Sequence, residues 1–282
     1  MESRSITYDI STTTPIFSYG ANTSSPEVRS TSAPPRADGG NRLGANTSSP
    51  EVRSTSIRGM VRWWFRALGK EKESNRIMGS AAGSKESDAK ASRVIFRVEA
   101  TGVNIDNYEI LPHKKFPGKK AIKPASTFTL HVIERFKLED GDWELLQRVI
   151  ETWLMLGAIG GRSTRAGGSV YDRSLVFNSR REWLEKARYL LRGSKIEVYL
   201  SSSLKEFLSD LRSYCTDTVK NPCLGSANPR KESPLRFKIV RIGADYYIAF
   251  INDTREKNVI KQAISVLSGK PIGRILKSAY DG

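Results

Sequence analysis

Apolar residues alternate with polar ones at Ile6, Tyr8 and Ile10, the two-residue period of a half-buried strand. The period then changes. Ile57, Met60, Val61, Trp64 and Leu68 recur at helical spacing, which predicts a helix capped by Ser56 and ending at Gly69. Alternation returns at Val94, Phe96 and Val98, and again at Phe128, Leu130 and Val132. A second helix is predicted from about Asp142 to Leu156, followed by a glycine-rich loop and a strand over Ser169–Phe177. The order is β-α-β-β-α-β, with a long basic loop from Gly102 to Pro124 between the central strands.

The same order is expected again. Ser179-x-x-Glu182 reads as a capping box opening a helix that turns Trp183, Ala187, Leu190 and Leu191 inward. A strand follows at Lys195–Leu200, then a helix with Leu204, Phe207, Leu208 and Leu211. Strands Leu235–Ile242 and Tyr246–Asn252 flank a Gly-Ala-Asp turn. A last helix buries Val259, Ile260, Ala263, Ile264 and Leu267, before a short segment at Ile272–Leu276. Two such units in tandem predict an α+β protein of two ferredoxin-like (RRM-like, βαββαβ) domains. They are expected at residues 1–178 and 179–282, the first with inserted loops at about 20–55 and 102–124.

The first insertion holds an identical thirteen-residue repeat. GANTSSPEVRSTS stands at Gly20–Ser32 and again at Gly44–Ser56, around a linker of loop composition. Two copies without an apolar face do not make a solenoid. Such identity points to a recent duplication or an artefact, and part of Ser24–Leu43 is expected to be poorly ordered.

Charge narrows the chemistry. The 282 residues carry 26 Arg and 20 Lys against 30 Asp plus Glu, a net +16. That excess points to a polyanion, nucleic acid ahead of a membrane surface. No run approaches the roughly 18 apolar residues of a membrane helix, and the start MESRSITYD lacks a signal peptide's apolar centre, so a soluble, cytoplasmic protein is expected. Cys215 and Cys223, spaced C-x7-C, fit neither a disulfide framework nor a zinc knuckle. With only His113 and His131 as histidines, no metal centre and no cofactor are expected.

Three places concentrate the basic residues. Arg58, Arg62 and Arg66 repeat every four residues on the first helix, in a stripe about 140° from the apolar face, and Arg53 extends it. This is either a solvated basic face or an anion site. Trp63 lies beside it, suited to stacking on a base or to packing on the second domain. The loop Gly157–Gly168 combines Gly160, Gly161, Gly167 and Gly168 with Arg162, Ser163, Thr164 and Arg165. It is no Walker A or dinucleotide fingerprint, because it follows a helix and precedes a strand. Its amides and arginines suit phosphate oxygens. The third place, His113 to Lys123 with Lys114, Lys115, Lys119 and Lys120 around Phe116, reads equally as a nucleic-acid finger or a solvated charge run. Catalysis has little support: His113 alone could act as general acid or base in metal-independent RNA cleavage. His131, within a strand, reads as structural.

Several of these segments resemble a known family. Thr14-Pro15-Ile16-Phe17-Ser18-Tyr19-Gly20, Glu51–Gly59 and Val61-Arg62-Trp63-Trp64-Phe65-Arg66-Ala67-Leu68 resemble the N-terminal signature of RAMP-superfamily subunits of type III CRISPR effectors, those of the type III-B (Cmr) complex in particular. Ile77-Met78-Gly79-Ser80, Ile159–Ser169 and Ser233-Pro234-Leu235-Arg236-Phe237 resemble further signatures. The resemblance implies tandem ferredoxin-like domains in a ribonucleoprotein. Its partners would be guide RNA, toward the 3′ end, single-stranded target RNA and other RAMP subunits. It implies binding without cleavage, because guide-processing relatives carry a histidine near the first helix and this chain has none before His113. The duplication leaves Arg29 and Arg53 as rivals for the family's arginine position.

Overall fold

A computed structural model of the chain describes residues 3–18, 50–80, 89–109, 118–204, 224–227, 230–253 and 258–282. The expected disorder of Ser24–Leu43, the helix expected beyond Leu204, Arg29 and both cysteines lie outside the described residues. The first half runs β1 (Ser5–Thr12), α1 (Ser54–Ala67), α2 (Glu71–Met78), β2 (Val94–Gly102), β3 (Ile105–Tyr108), β4 (Lys119–Ile122), β5 (Thr127–Glu134), α3 (Asp140–Leu156) and β6 (Val170–Asp172). The second runs α4 (Arg180–Leu191), β7 (Ile196–Leu200), β8 (Ser226–Ala227), β9 (Arg230–Lys231), β10 (Leu235–Ile242), β11 (Asp245–Asp253), α5 (Val259–Val266) and α6 (Pro271–Asp281). The protein is thus mixed α+β with antiparallel sheets.

The first sheet has the order β2-β5-β1-β6, each neighbouring pair antiparallel. Alternation gives it one apolar face. Tyr8, Ile10, Phe96, Phe128, Leu130 and Val132 join Ile57, Val61, Trp64 and Phe65 of α1 and Leu146, Val149, Ile150 and Trp153 of α3 in one core. The opposite face is polar. Thr7 Oγ1 pairs with His131 Nδ1 at 3.1 Å, Arg97 with Glu99 at 2.9 Å and Arg173 with Asp9 at 3.0 Å. His131 is therefore part of a surface polar network.

Helix α1 starts two residues before Ser56. Arg53 is its N-cap, in extended conformation and without a side-chain acceptor for the first turn. Helix α2 was not legible in the sequence: of its eight residues only Ser74, Ile77 and Met78 are buried. Between β2 and β5, the expected basic loop has paired ends, since β3 and β4 form an antiparallel ribbon.

In the second half, β10-β11-β7 form an antiparallel sheet, and Ile242 pairs with Asp245 across the expected tight turn. Ser179 Oγ accepts from the Glu182 amide at 3.2 Å, and the Glu182 carboxylate accepts from the Asn178 amide at 2.9 Å. The Ser179 half of the expected capping box is in place, while the Glu182 carboxylate bonds the amide one residue before the N-cap. Ile272–Leu276, expected to close the second βαββαβ, lies instead in helix α6. Pro271 occupies its first turn, and Ile272, Leu276 and Ala279 recur at helical spacing toward the core.

Both faces of the second sheet are covered. Leu235, Phe237 and Ile239 of β10 pack with Val259, Ile260, Leu267 and Leu276 of α5 and α6. Val240 and Ile242, one residue out of phase, belong to the core of the first half. The core therefore continues across the boundary expected at 178/179.

Candidate nucleic-acid interface

The segment Pro15–Ser18 after β1 is where the predicted basic pieces meet. Ile16 exchanges backbone hydrogen bonds with Ile122 at the base of the inserted ribbon, both 3.0 Å. Pro15 O accepts from the Gly168 amide at 2.9 Å and Phe17 O from the Gly161 amide at 2.8 Å, which seats the glycine-rich loop. Ser18 O accepts from the Glu51 amide at 3.0 Å, fixing the lead-in to α1. Three segments distant in sequence thus share four residues of backbone.

The glycine-rich loop is folded tightly on itself and on this segment. Gly160 has φ +80°, and a Cβ there would stand 2.6 Å from Phe17 O. Gly168 has φ +67°, and its Cβ would stand 1.8 Å from Ile159 O. Both positions require glycine, for left-handed backbone and for close approach. Buried hydroxyls complete the seat: Thr14 Oγ1 donates to Ala166 O at 2.5 Å and accepts from the Ser169 amide at 2.8 Å. The loop's backbone bonds run through Ile159, Gly161, Arg165, Ala166, Gly167 and Gly168. The amides of Arg162, Ser163 and Thr164 are outside them. Arg162, itself at φ +62°, is exposed and makes no ion pair among the described residues. Three consecutive amides and the Arg162 guanidinium, whose pKa burial lowers, are the groups of this loop that suit an anion.

Arg165 requires a correction. Sequence reasoning set it beside Arg162 on phosphate, but its side chain is buried. Nη1 donates to Thr164 O at 3.0 Å, Ser233 Oγ at 3.2 Å and Leu235 O at 2.9 Å, and Nη2 to Leu224 O at 2.6 Å. The guanidinium also lies 4.9 Å from the centroid of Phe237. Backbone bonds reinforce the junction, from Ala166 N to Phe237 O at 3.0 Å and from Phe237 N to Thr164 O at 3.2 Å. Arg165 fastens the loop to β10.

The arginine stripe is divided as well. Arg58 Nη2 donates to Met78 O at 2.8 Å, and Arg62 Nη2 to Met78 O and Gly79 O, both at 2.7 Å. These carbonyls end α2, where the helix carries its partial negative charge. Burial, then the neighbouring Arg58 and Arg66, lowers the Arg62 pKa from its ordinary value. The charges that sequence reasoning left without an intramolecular counterpart therefore have one, in a helix the pattern did not reveal. Arg66 stays exposed. Arg53 pairs with Glu51 at the start of α1, whose first turn holds no acid.

Trp63 packs on the second half. The Arg236 guanidinium lies 3.7 Å from its ring centroid, and Trp64 meets it edge-on at 5.0 Å. Arg236 and Lys238 were missed as contributors. They alternate with apolar residues on β10 like the solvent face of a strand, yet both are buried against the first half. Lys238 Nζ donates to Leu154 O near the end of α3, and desolvation holds its pKa well below 10.5. Lys119, Lys120 and Lys123 are exposed on and after the ribbon. His113, Lys114, Lys115 and Phe116 lie outside the described residues. No helix among the described residues is long and apolar enough to cross a membrane.

Comparison with known proteins follows the same outline. The family model of the RAMP superfamily matches residues 9–171, more than half of the chain. Among curated proteins, none matches. Of the solved structures, the apo form of Cmr1 from Pyrococcus furiosus is similar at 19% identity and a TM-score of 0.54, over 88% of this chain and 87% of that one. A chain from the type III-B Cmr-beta structure bound to cognate target RNA is similar at 13% identity and a TM-score of 0.52, over 89% and 94%. A chain from the same assembly with target RNA and AMPPnP, in the presence of ssDNA, gives 12% identity and a TM-score of 0.54, over 99% of each. At such identities the likeness is one of fold.

Proposed function

The chain belongs to the RAMP superfamily, and from that premise we propose that it is an RNA-binding subunit of a type III-B CRISPR effector, most like the first-numbered RAMP subunit of the Cmr complex. It binds guide RNA toward the 3′ end, helps to capture single-stranded target RNA, and does not cleave. Its architecture is a tandem of two ferredoxin-like units: the order β2-β5-β1-β6 supports this for the first, and the second ends in α6 instead of a fourth strand.

The observation that carries the reading is the convergence on Pro15–Ser18. Arg162 with the amides of residues 162–164, the start of α1 at Arg53, and the ribbon bearing Lys119 and Lys120 are anchored to one short segment. Pro15–Ser18 is itself buried, and phosphates of a single strand laid over the surface around it meet backbone donors and cations in succession. Among the described residues, the open sheet face carries the Arg97–Glu99 and Arg173–Asp9 pairs, with Tyr171 on its β6 edge instead of the row of stacking aromatics with which RRM sheets read bases. Binding by edge loops is the consequence. Further support comes from the similarity to chains of an assembly bound to target RNA.

The test is salt-dependent binding of a labelled single-stranded RNA to the full chain. Affinity is expected to fall by orders of magnitude between about 50 and 200 mM salt, and the combined R162A, K119A and K120A variant to bind weakly across sequences with a shallower salt slope. Unchanged affinity in that variant contradicts the site. RNA cleavage in EDTA by the wild type, lost in H113A, contradicts the non-catalytic assignment.

A further inference from the structure

A cleft of about 730 Å³ opens where the end of α1 faces the turn into β7, Glu232 ahead of β10 and the end of β11. Trp63, Arg66, Ala67, Lys195, Glu232 and Asp253 line it. Its volume falls in the range of about 300–1,000 Å³ that small-ligand sites occupy. Three features give it a definite chemistry. The Trp63 indole is held by Arg236 at 3.7 Å and by Trp64 at 5.0 Å, so the ring is already ordered and little freedom is lost when a partner stacks on it. Arg66 is exposed in the last turn of α1 and makes no ion pair among the described residues. Glu232 is tied to Arg236, and Asp253 adds a second carboxylate, so the cleft mixes both signs.

A plain phosphate site would not place two carboxylates in its wall. A flat aromatic, a cation at the rim, and carboxylate oxygens that can take a base-edge N–H beside the partners they already hold together suit a nucleotide. We infer that this cleft takes one unstacked nucleotide of the bound RNA, its base against Trp63 and its phosphate on Arg66. This rests on the RNA-binding assignment and adds a site to it. Trp63 and Arg66 lie toward the opposite end of α1 from Arg53, so the strand that starts along Pro15–Ser18 continues down the helix and drops a base between the two halves.

The experiment measures binding of one short single-stranded RNA, intact or carrying an abasic residue at successive positions, to the full-length wild type, W63A, W63F, A67F and R66A. Far-UV circular dichroism and thermal melts check the fold of each. W63A is expected to weaken binding about 5- to 140-fold, the worth of one base–aromatic stack, while leaving the salt slope unchanged. W63F retains most of the affinity, because the phenyl ring still stacks. A67F keeps Trp63 but fills the cleft, and loses affinity to a similar degree. R66A lowers the salt slope instead. One abasic position should weaken the wild type and have no further effect in W63A. Wild-type affinity in both W63A and A67F overturns the inference and leaves the RNA-binding assignment standing; failure of the wild type to bind any RNA overturns both.

Discussion

Replacing Arg165 by alanine separates a structural arginine from an RNA-binding one. Among the described residues the guanidinium has four acceptors, and three of them keep another contact when it is gone. Leu235 O still accepts from Ser233 Oγ at 2.6 Å, that same bond engages Ser233, and Thr164 O still accepts from the Phe237 amide at 3.2 Å. Leu224 O loses its donor. One buried carbonyl left without a partner costs about 1–3 kcal/mol. The lost stack on Phe237 adds about 0.5–2 kcal/mol. R165A is therefore expected to lose about 1.5–5 kcal/mol, a large share of a typical total of about 5–15 kcal/mol. Urea unfolding followed by tryptophan fluorescence reads the loss as a lower midpoint. RNA binding by the fraction still folded at low temperature should keep its salt slope. A variant that unfolds with the wild type, yet binds RNA more weakly and loses about 0.7 of the slope, would refute the reasoning and return Arg165 to the phosphates.

G168A should be strongly destabilised, since its Cβ would stand 1.8 Å from Ile159 O on left-handed backbone; a lowered melting temperature checks it, and near-wild-type melting would mean the loop is not packed this way. Glu134 has a pKa pushed down to about 2, first by the Arg4 side chain and then by the Leu138 amide. A depressed carboxylate stabilises the fold above its unfolded pKa of about 4.3, so stability is expected to fall as pH drops from there toward 2, a dependence that E134Q lacks. Lys238 runs the other way. Its folded pKa lies well below 10.5, so in that window the unfolded chain binds the extra proton and stability rises with pH, by at most about 1.4 kcal/mol per unit. K238M, measured by urea unfolding between pH 7 and 10, should flatten that rise.

Much of the fold was legible wherever one side of an element meets water. The alternation of β1, β2 and β5, the stripe on α1 and the Ser179 cap are all set by local periods and caps. Legibility failed where tertiary contacts decide. Helix α2 offers only two large apolar residues, and its end is held by Arg58 and Arg62 from another helix. Ile272–Leu276 is too short a run to tell strand from helix by itself; Pro271 at its head was the signal that could have decided. At the candidate site, the glycine-rich loop was found because glycines and arginines rarely crowd together by chance. Arg162 and Arg165 look alike in sequence, and only the β10 edge beside Arg165 distinguishes them. The same holds for Arg236 and Lys238, whose strand face is covered by the first half instead of water.

The central claim is that RNA runs along the surface assembled on Pro15–Ser18. Ultraviolet crosslinking of the full chain to single-stranded RNA, with the adducts located by mass spectrometry, tests it most directly. Nucleotide adducts are expected on Arg162–Thr164, on residues 118–123 and near Arg53. Adducts confined to the open sheet face, around Thr7, Arg97 and His131, would contradict the account.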